Sequence, residues 1–427
     1  MPGRLAQPTT MRQPAAPIPS PFQSSIAKPG QGKVVLSLLP PANPTLTTLT
    51  YKYPLKLVPR TGGFVPSPES SALSDSCPSH PVHLYLLTYG GGLLPGDHIE
   101  VSITLEPKTR MVVTTPQGST KIFKTDPNNS ANSPNVIKGH RKQMPANPSI
   151  SDMSQQTLDV HIGRQAALCY LPDPSVPFQH SRYAQIQTFT VDATAKGDQR
   201  SSLCVLDWVT QGRTSRGENW NFRFWRGRNE VWAADEKTGK SRLLLRDSVI
   251  LDDESEDTSD EEDEYSEDEV ERTDVNIHNG LDNHSNSNSN SNSNSNSITS
   301  SRPQPPQNGL TPMNIIQERT RPHGVVGTLI LSGPVFEALG SYLMHEFQTQ
   351  PRIGSRNWSD HGSAAVPEPS VSHHGDVTWT AARVRAGFVL VKFGAKDFET
   401  AKHWLGGLIR EEGSVTREFG EEALFCL

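Results

Sequence analysis

Apolar and polar residues alternate along several stretches between residues 33 and 250. Ile99, Val101, Ile103 and Leu105 are separated by Glu100, Ser102 and Thr104. A strand turns successive side chains to opposite faces, so this pattern predicts one buried face and one polar face. Leu158, Val160 and Ile162 repeat it, as do Phe189 with Val191, and Trp220, Phe222 and Phe224. Residues 33–39 read as a first strand, and 111–115, 203–209 and 243–245 as shorter or more buried ones. Turn residues recur between these runs, which is the signature of an all-β sandwich, barrel or solenoid.

Helical spacing enters only in the last hundred residues. Residues 327–331 and 388–393 read as strands, each followed by an amphipathic run. Ser332 is placed to cap a helix over 334–348, with Pro334 in its first turn and Phe336, Leu339, Leu343 and Phe347 on one face. Asp397 begins a final helix running to about residue 411, with Phe398, Ala401, Leu405 and Leu408 on one stripe and Gly413 at its end. Gly406 and Gly407 weaken that helix, so something must pack there. Residues 323–427 hold too little apolar surface to fold alone, and are expected to complete the β structure of 33–250 as one domain.

The remaining segments lack periodicity. Residues 1–32 are rich in Pro, Gln, Ser and Gly and are expected to be a disordered tail. Residues 126–154 and 358–374 read as polar loop insertions. From 252 to 271, 14 of 20 residues are acidic, and a Ser-Asn alternation covers 285–297. Such a run repels itself, so 251–322 is expected to be a disordered linker looped out of the domain. It is read as solvated filler, with a cation-attracting or partner-binding tail as the alternative.

Composition sharpens this division. Hydrophobic residues make up only 34% of the 427, with 32 Gly and 35 Pro, as expected when ordered parts are separated by unstructured ones. The net charge of −6 is smaller than the charge of the acidic run alone, and the remainder is too balanced to suggest a nucleic-acid partner. No apolar run approaches the ~20 residues of a membrane span, and the N-terminus lacks the pattern of a secretory signal. Cys77, Cys169, Cys204 and Cys426 form no C-x-x-C pair and read as small reduced core residues. These features together predict a cytoplasmic protein without a membrane partner.

The glycine run at Gly90, Gly91, Gly92 and Gly96 fails the G-x-G-x-x-G spacing and lacks the ending of a P-loop. A strand follows it, so no helix N-terminus is available to hold a phosphate. The run is expected to open a β-hairpin region, with Asp97 either a turn residue or a carboxylate aimed into a cavity. His361, His373 and His374 lie in a polar insertion and suit a metal poorly, because adjacent side chains on an extended chain diverge. Gly212-Arg213 with Gly217-Glu218 fits either a salt-bridged hairpin or a functional turn. No nucleophile, base or phosphate loop is visible, so the chain is read as a non-enzyme. A β-solenoid acting on a sugar would need paired carboxylates on neighbouring strands, and none recur at a regular spacing.

Four stretches, in order, resemble the urease accessory protein D family (UreD, called UreH in some bacteria). They are Thr88-Tyr89-Gly90-Gly91-Gly92-Leu93 with Gly96-Asp97; Thr114-Thr115-Pro116-Gln117-Gly118-Ser119-Thr120-Lys121-Ile122-Phe123-Lys124; Leu171-Pro172-Asp173-Pro174 with Pro177-Phe178, Ser181-Arg182-Tyr183 and Gln185; and Trp208 with Gly212-Arg213, Gly217-Glu218 and Trp220. The resemblance covers about residues 33–250 and 323–427. Pro95 departs from it, standing where relatives often carry a small residue, and the 126–154 loop and the acidic linker are additions.

The resemblance implies a β-helical, many-stranded core with two helices. It implies a nickel-insertion chaperone or scaffold that binds apo-urease and, with UreF and the GTPase UreG, helps deliver nickel during urease maturation. The alternative is an interaction scaffold that never touches metal. No tightly bound cofactor is expected, only transient nickel on a water-filled route. A divalent cation crossing a protein needs weak oxygen ligands and water, since full desolvation costs several kcal/mol. By motif position the candidate lining residues are Asp97 and Glu218, then Asp207 and Ser119.

Overall fold

The alternating run at 99–105 becomes β6 (His98–Leu105), with Ile99, Val101, Ile103 and Leu105 buried and the intervening side chains facing outward. Most other alternating runs behave in the same way, and the strands among the described residues build three sheets. The computed structural model describes residues 28–61, 80–116, 121–124, 153–235, 238–253, 314–350 and 376–427. The expected tail up to residue 27, most of the 126–154 loop, residues 254–313 of the linker and the 358–374 insertion lie outside them.

The chain runs through β1 (Gln31–Leu39), β2 (Asn43–Tyr51) and β3 (Leu55–Thr61), then enters a repeating path. Its first pass is β4 (Val82–Thr88), β5 (Gly92–Leu93) and β6. Its second is β7 (Arg110–Thr114), β8 (Lys121–Ile122) and β9 (Ser154–Ile162), and its third is β10 (Ala167–Tyr170), β11 (Val176–Pro177) and β12 (Arg182–Asp192). A fourth joins β13 (Ser202–Thr210) to β14 (Phe224–Asp235), and β15 (Lys240–Asp252) follows. In each full pass the first strand enters an eight-stranded sheet, the second a three-stranded sheet and the third a seven-stranded sheet. Strands from successive passes pair in parallel within each sheet.

The glycine run therefore does not open a hairpin. β4 and β6 belong to different sheets, and Gly90–Gly92 carry the chain from one to the next. Its tight turn comes four residues later. The Asp97 N–H donates to the Leu94 carbonyl at 2.9 Å across Pro95 and Gly96, and Gly96 has φ +83°. Proline followed by a residue of positive φ is the sequence of a type II turn, which glycine alone enters without strain.

After the linker the chain adds β16 (Val325–Ser332), β17 (Val377–Arg383) and β18 (Val389–Ala395) to the eight-stranded sheet. β16 pairs antiparallel with β13, and β18 pairs with β16 and β17. This sheet is covered on both faces. One face joins the seven-stranded sheet around Val101, Leu158, Phe189 and Leu203. The other packs under α2 (Glu337–Thr349), α3 (Phe398–Glu412) and α4 (Ser414–Phe419) through Cys204, Leu206, Trp208, Leu339 and Leu405. That is why all nine residues of β13 are buried, and why 203–209, Asp207 apart, reads as apolar on both faces rather than alternating.

Several expected elements differ in detail. Trp220 and Phe222 are buried but precede β14 in a loop, where Trp220 takes φ +58°. Their spacing reflects two rings tucked under one loop, not a strand face. Residues 334–336 form a single 3-10 turn after Gly333, so Ser332 ends β16 and caps nothing. Among the described residues there are four α-helices rather than two. The additional ones, α1 (Ile315–Thr320) and α4, are six residues each, too short to show a period. α1 lies in residues assigned to the linker and is held by Asn314, which accepts from Gln317 N–H at 3.1 Å and donates to the Trp220 carbonyl at 2.7 Å. Asp397 and Gly413 do cap α3, and a Cβ on Gly406 would stand 2.7 Å from Arg410 Nη1 and 3.3 Å from Leu427, the groups that pack there. No helix among the described residues is long and apolar enough to cross a membrane.

Candidate functional site

The repeating path brings the four motif stretches together although they are far apart in sequence. Gly92 pairs with Lys121, and Lys121 with Val176, so three of them meet in the three-stranded sheet. The rings of Phe123 and Phe178 meet edge to face at 5.0 Å, and the Arg213 guanidinium of the fourth stretch lies 3.7 Å from the Phe178 ring centre. Pro172 enters through its carbonyl, which accepts from the Trp208 indole N–H at 2.9 Å.

Two of the candidate carboxylates hold turns in this region. The Asp97 Oδ2 accepts from the Leu94 N–H at 2.8 Å, closing the Pro95-Gly96 turn from its far side. Glu218 Oε2 accepts from the Arg213 backbone N–H at 2.8 Å and Oε1 from Arg213 Nε at 2.9 Å, with a further bond to Arg213 Nη2. Burial works to raise the Glu218 carboxyl, but the bonds from Arg213 outweigh it and hold it below its ordinary value. Gly212 passes close by, since a Cβ there would stand 3.1 Å from Glu218 Oε2. Ser119 lies outside the described residues.

Asp207 occupies a different setting, between the two large sheets. β13 turns Leu203, Val205 and Val209 into the apolar core between the sheets, and Asp207 shares that face. Its Oδ1 accepts from Gln185 Nε2 at 3.1 Å and its Oδ2 from Asn229 Nδ2 at 2.8 Å. Arg182 begins β12, and Gln185, three residues on, also accepts from the Tyr183 hydroxyl at 3.0 Å. Gly227 makes room for the carboxylate, because a Cβ there would come within 2.4 Å of Asp207 Oδ2. Burial raises the Asp207 carboxyl to about 6; Asp247 adds to the rise, while the bonds from Asn229 and Gln185 oppose it.

The polar surroundings extend across both sheets in register. In the seven-stranded sheet Gln187 pairs with Asn229, and Asn229 with Asp247. In the eight-stranded sheet Asp207 pairs with Thr328, and Thr328 with Lys392. The two rows are joined at their outer end, where Lys392 Nζ meets Asp247 Oδ1 at 2.6 Å. The result is a polar seam running from Gln187 in the interior to the half-exposed Lys392 on β18, one strand in from the edge strand β17. Both polar atoms of Gln187, the Oδ1 of Asn229 and the Oδ2 of Asp247 are buried without a hydrogen-bond partner among the described residues. Buried polar atoms of this kind are ordinarily satisfied by water or an ion.

The carboxylate of Asp207 with the unpartnered side-chain oxygens of Gln187, Asn229 and Asp247 makes a weak, hard ligand set, suited to a hydrated divalent cation in passage rather than a caged one. A cation beside Asp207 would favour its ionised form and release its proton. Among the described residues no three His, Cys, Asp or Glu side chains converge as a metal cage. Of the candidates, the structure joins Asp207 with Gln185, and separately Gly212, Arg213 and Glu218. Sequence reasoning missed Gln187, Asn229, Asp247 and Lys392. The one visible signal was a polar residue at an inward position of a β run, as at Gln187 two residues before Phe189.

Comparison with known proteins finds urease accessory proteins. The family model described as UreD urease accessory protein matches residues 30–263. Urease accessory protein 4 of Cryptococcus neoformans var. grubii is 33% identical over 224 residues, 51% of this chain and 61% of that protein. Urease accessory protein D of Arabidopsis thaliana is 32% identical over 220 residues, 52% of this chain and 59% of that protein. A Schizosaccharomyces pombe protein described as an uncharacterized urease accessory protein, ureD-like, is 25% identical over 370 residues, 86% of this chain and 90% of its own length. The matched region thus spans about three-fifths of the first two relatives.

Proposed function

The chain belongs to the UreD family of urease accessory proteins, and from that premise we propose that it serves urease maturation in the cytoplasm as a scaffold and nickel-passing chaperone rather than as an enzyme. It binds apo-urease and, with UreF and UreG, helps bring nickel to it. The repeating path through the three sheets is the scaffold of that route in this reading. Nickel is cargo here, held briefly and passed on.

The observation that carries this reading is the polar seam around Asp207. Interiors exclude polar groups that lack partners, and a structural core gains nothing from four such atoms in one row. A transit path does gain, because water and weak oxygen donors lower the cost of moving a charge through a protein. Asp207 is the central donor, and Asp247 with Lys392 forms the outer end. Asp97 and Glu218 shape the turns of the motif region beside it.

The test is a co-expression of urease, UreF, UreG and this protein at limiting nickel. Asp207→Asn is expected to leave the complex assembled while urease nickel content and activity fall several-fold. Normal nickel content in that variant would favour the scaffold reading, in which the metal is handed over elsewhere. Asp97→Ala combined with Glu218→Ala belongs in the same assay. A loss of nickel transfer without a loss of thermal stability would place those two carboxylates on the route as well.

A further inference from the structure

We propose that the cleft between β11, the end of β13 and the start of α3 is a docking site for a partner segment presenting a basic side chain beside an apolar one. The cleft has a volume of about 680 Å³. That is room for several side chains, far more than a hydrated ion needs. Its walls come from the segment before β11, the end of β13, the start of β16, the first turn of α3 and Phe425. Backbone bonds fix them in place: Ser175 N–H to the Trp208 carbonyl, Thr210 N–H to the Ser175 carbonyl, Gln211 N–H to the Gly324 carbonyl and Gly324 N–H to the Ala395 carbonyl, at 2.8–2.9 Å. The site is therefore formed before anything binds.

Its chemistry specifies the occupant. Three carboxylates line it, those of Asp173, Asp397 and Glu399, against one ammonium, that of Lys402. The α3 N-terminus adds about half a positive charge, and the Asp397 side chain, bonded to Thr400 N–H at 2.8 Å, offsets it. The balance stays negative and calls for a cation. Two aromatic rings supply the apolar part. Phe398 already carries Lys402 Nζ at 5.7 Å from its ring centre, a cation–π contact at the cleft wall, while Trp208 packs against the same ring. Phe425 is 55% exposed while its neighbours Leu424 and Cys426 are buried. A guanidinium stacks on such rings and pairs with carboxylates at once, which makes arginine the best fit.

This proposal rests on the reading that the chain works by assembling with the urease-maturation proteins, and its test separates the two. With p-benzoyl-phenylalanine at position 425 of the full chain, cells producing urease, UreF and UreG are illuminated and the cross-linked peptides sequenced. The expected product is one segment of one of those proteins carrying an arginine or lysine. Glu399 is exposed, so Glu399→Arg should leave the fold intact and weaken binding of that purified partner by about tenfold or more. Reversing the charge of the cross-linked basic residue should restore it. Cross-links confined to this chain or to a second copy, a segment without a basic residue, or an affinity unchanged by Glu399→Arg would each overturn the docking site. If those failures occur while Asp207→Asn still lowers nickel transfer, the nickel reading stands. If the charge swap succeeds but Asp207→Asn has no effect, the docking site stands and the route fails.

Discussion

Burial between the sheets raises the carboxyl of Asp207 to about 6, against an ordinary 3.8, even though Gln185 and Asn229 both donate to it. A group with a folded pKa above its unfolded one binds its proton more tightly in the folded state. Its contribution is most favourable below about pH 4 and is lost as pH rises through about 6. The gap is worth roughly 3 kcal/mol. In urea melts the stability of Asp207→Asn minus that of the wild type should therefore rise by up to about 3 kcal/mol between pH 4 and 7. The subtraction cancels Asp192 and Glu230, whose lowered carboxyls slope the other way. A flat difference would mean that Asp207 is ionised without penalty. Motif position alone puts Glu218 ahead of Asp207. Their surroundings point the other way, because Arg213 saturates the Glu218 carboxylate while that of Asp207 is held by two neutral amides.

At the scale of elements, β13 does most to organise the molecule. It belongs to the parallel stack on one side and receives β16 on the other, and both of its faces are covered. Trp208 on its helix-side face ties three parts together. Its indole N–H bonds the Pro172 carbonyl at 2.9 Å, and its ring meets Phe393 of β18 and Phe398 of α3. Trp208→Phe keeps an aromatic ring but deletes the donor and part of the contact. It should cost about 1–3 kcal/mol, read by denaturant unfolding. An unchanged midpoint would show that the Pro172 segment is held without that bond. The strands of one open face, such as β6, were legible because alternation needs only local sequence. β17 was not predicted, although Val377, Trp379 and Ala381 alternate inward, because it follows a long polar insertion that masks its start.

At the scale of the whole molecule, the described residues on both sides of 254–313 share one set of sheets. β15 ends where Asp253 N–H bonds the Arg223 carbonyl at 3.0 Å, and α1 begins beside the same loop through Asn314 and Trp220. Replacing residues 254–313 by a short Gly-Ser linker should therefore leave the melting temperature within about 2 °C of the full chain. A larger fall would show that this segment contributes to the fold. The same variant in the nickel assay asks whether the acidic run gathers cations.

Local sequence by itself determined the mostly-β character, the position of the alternating strands, the two long helices and the caps Asp397 and Gly413. Each of these depends on residues within a turn or two of one another, so a period or a cap residue suffices to specify it. It also carried the family resemblance, because motif order survives in one dimension. Tertiary structure alone decided which strands stack, that the glycine run crosses between sheets, and that Gln187, Asn229, Asp247, Asp207 and Lys392 form one seam. Those five come from five strands, and their meeting is set by the register of non-local pairs. Register is fixed by how the buried faces pack, a property no single strand holds in its own sequence.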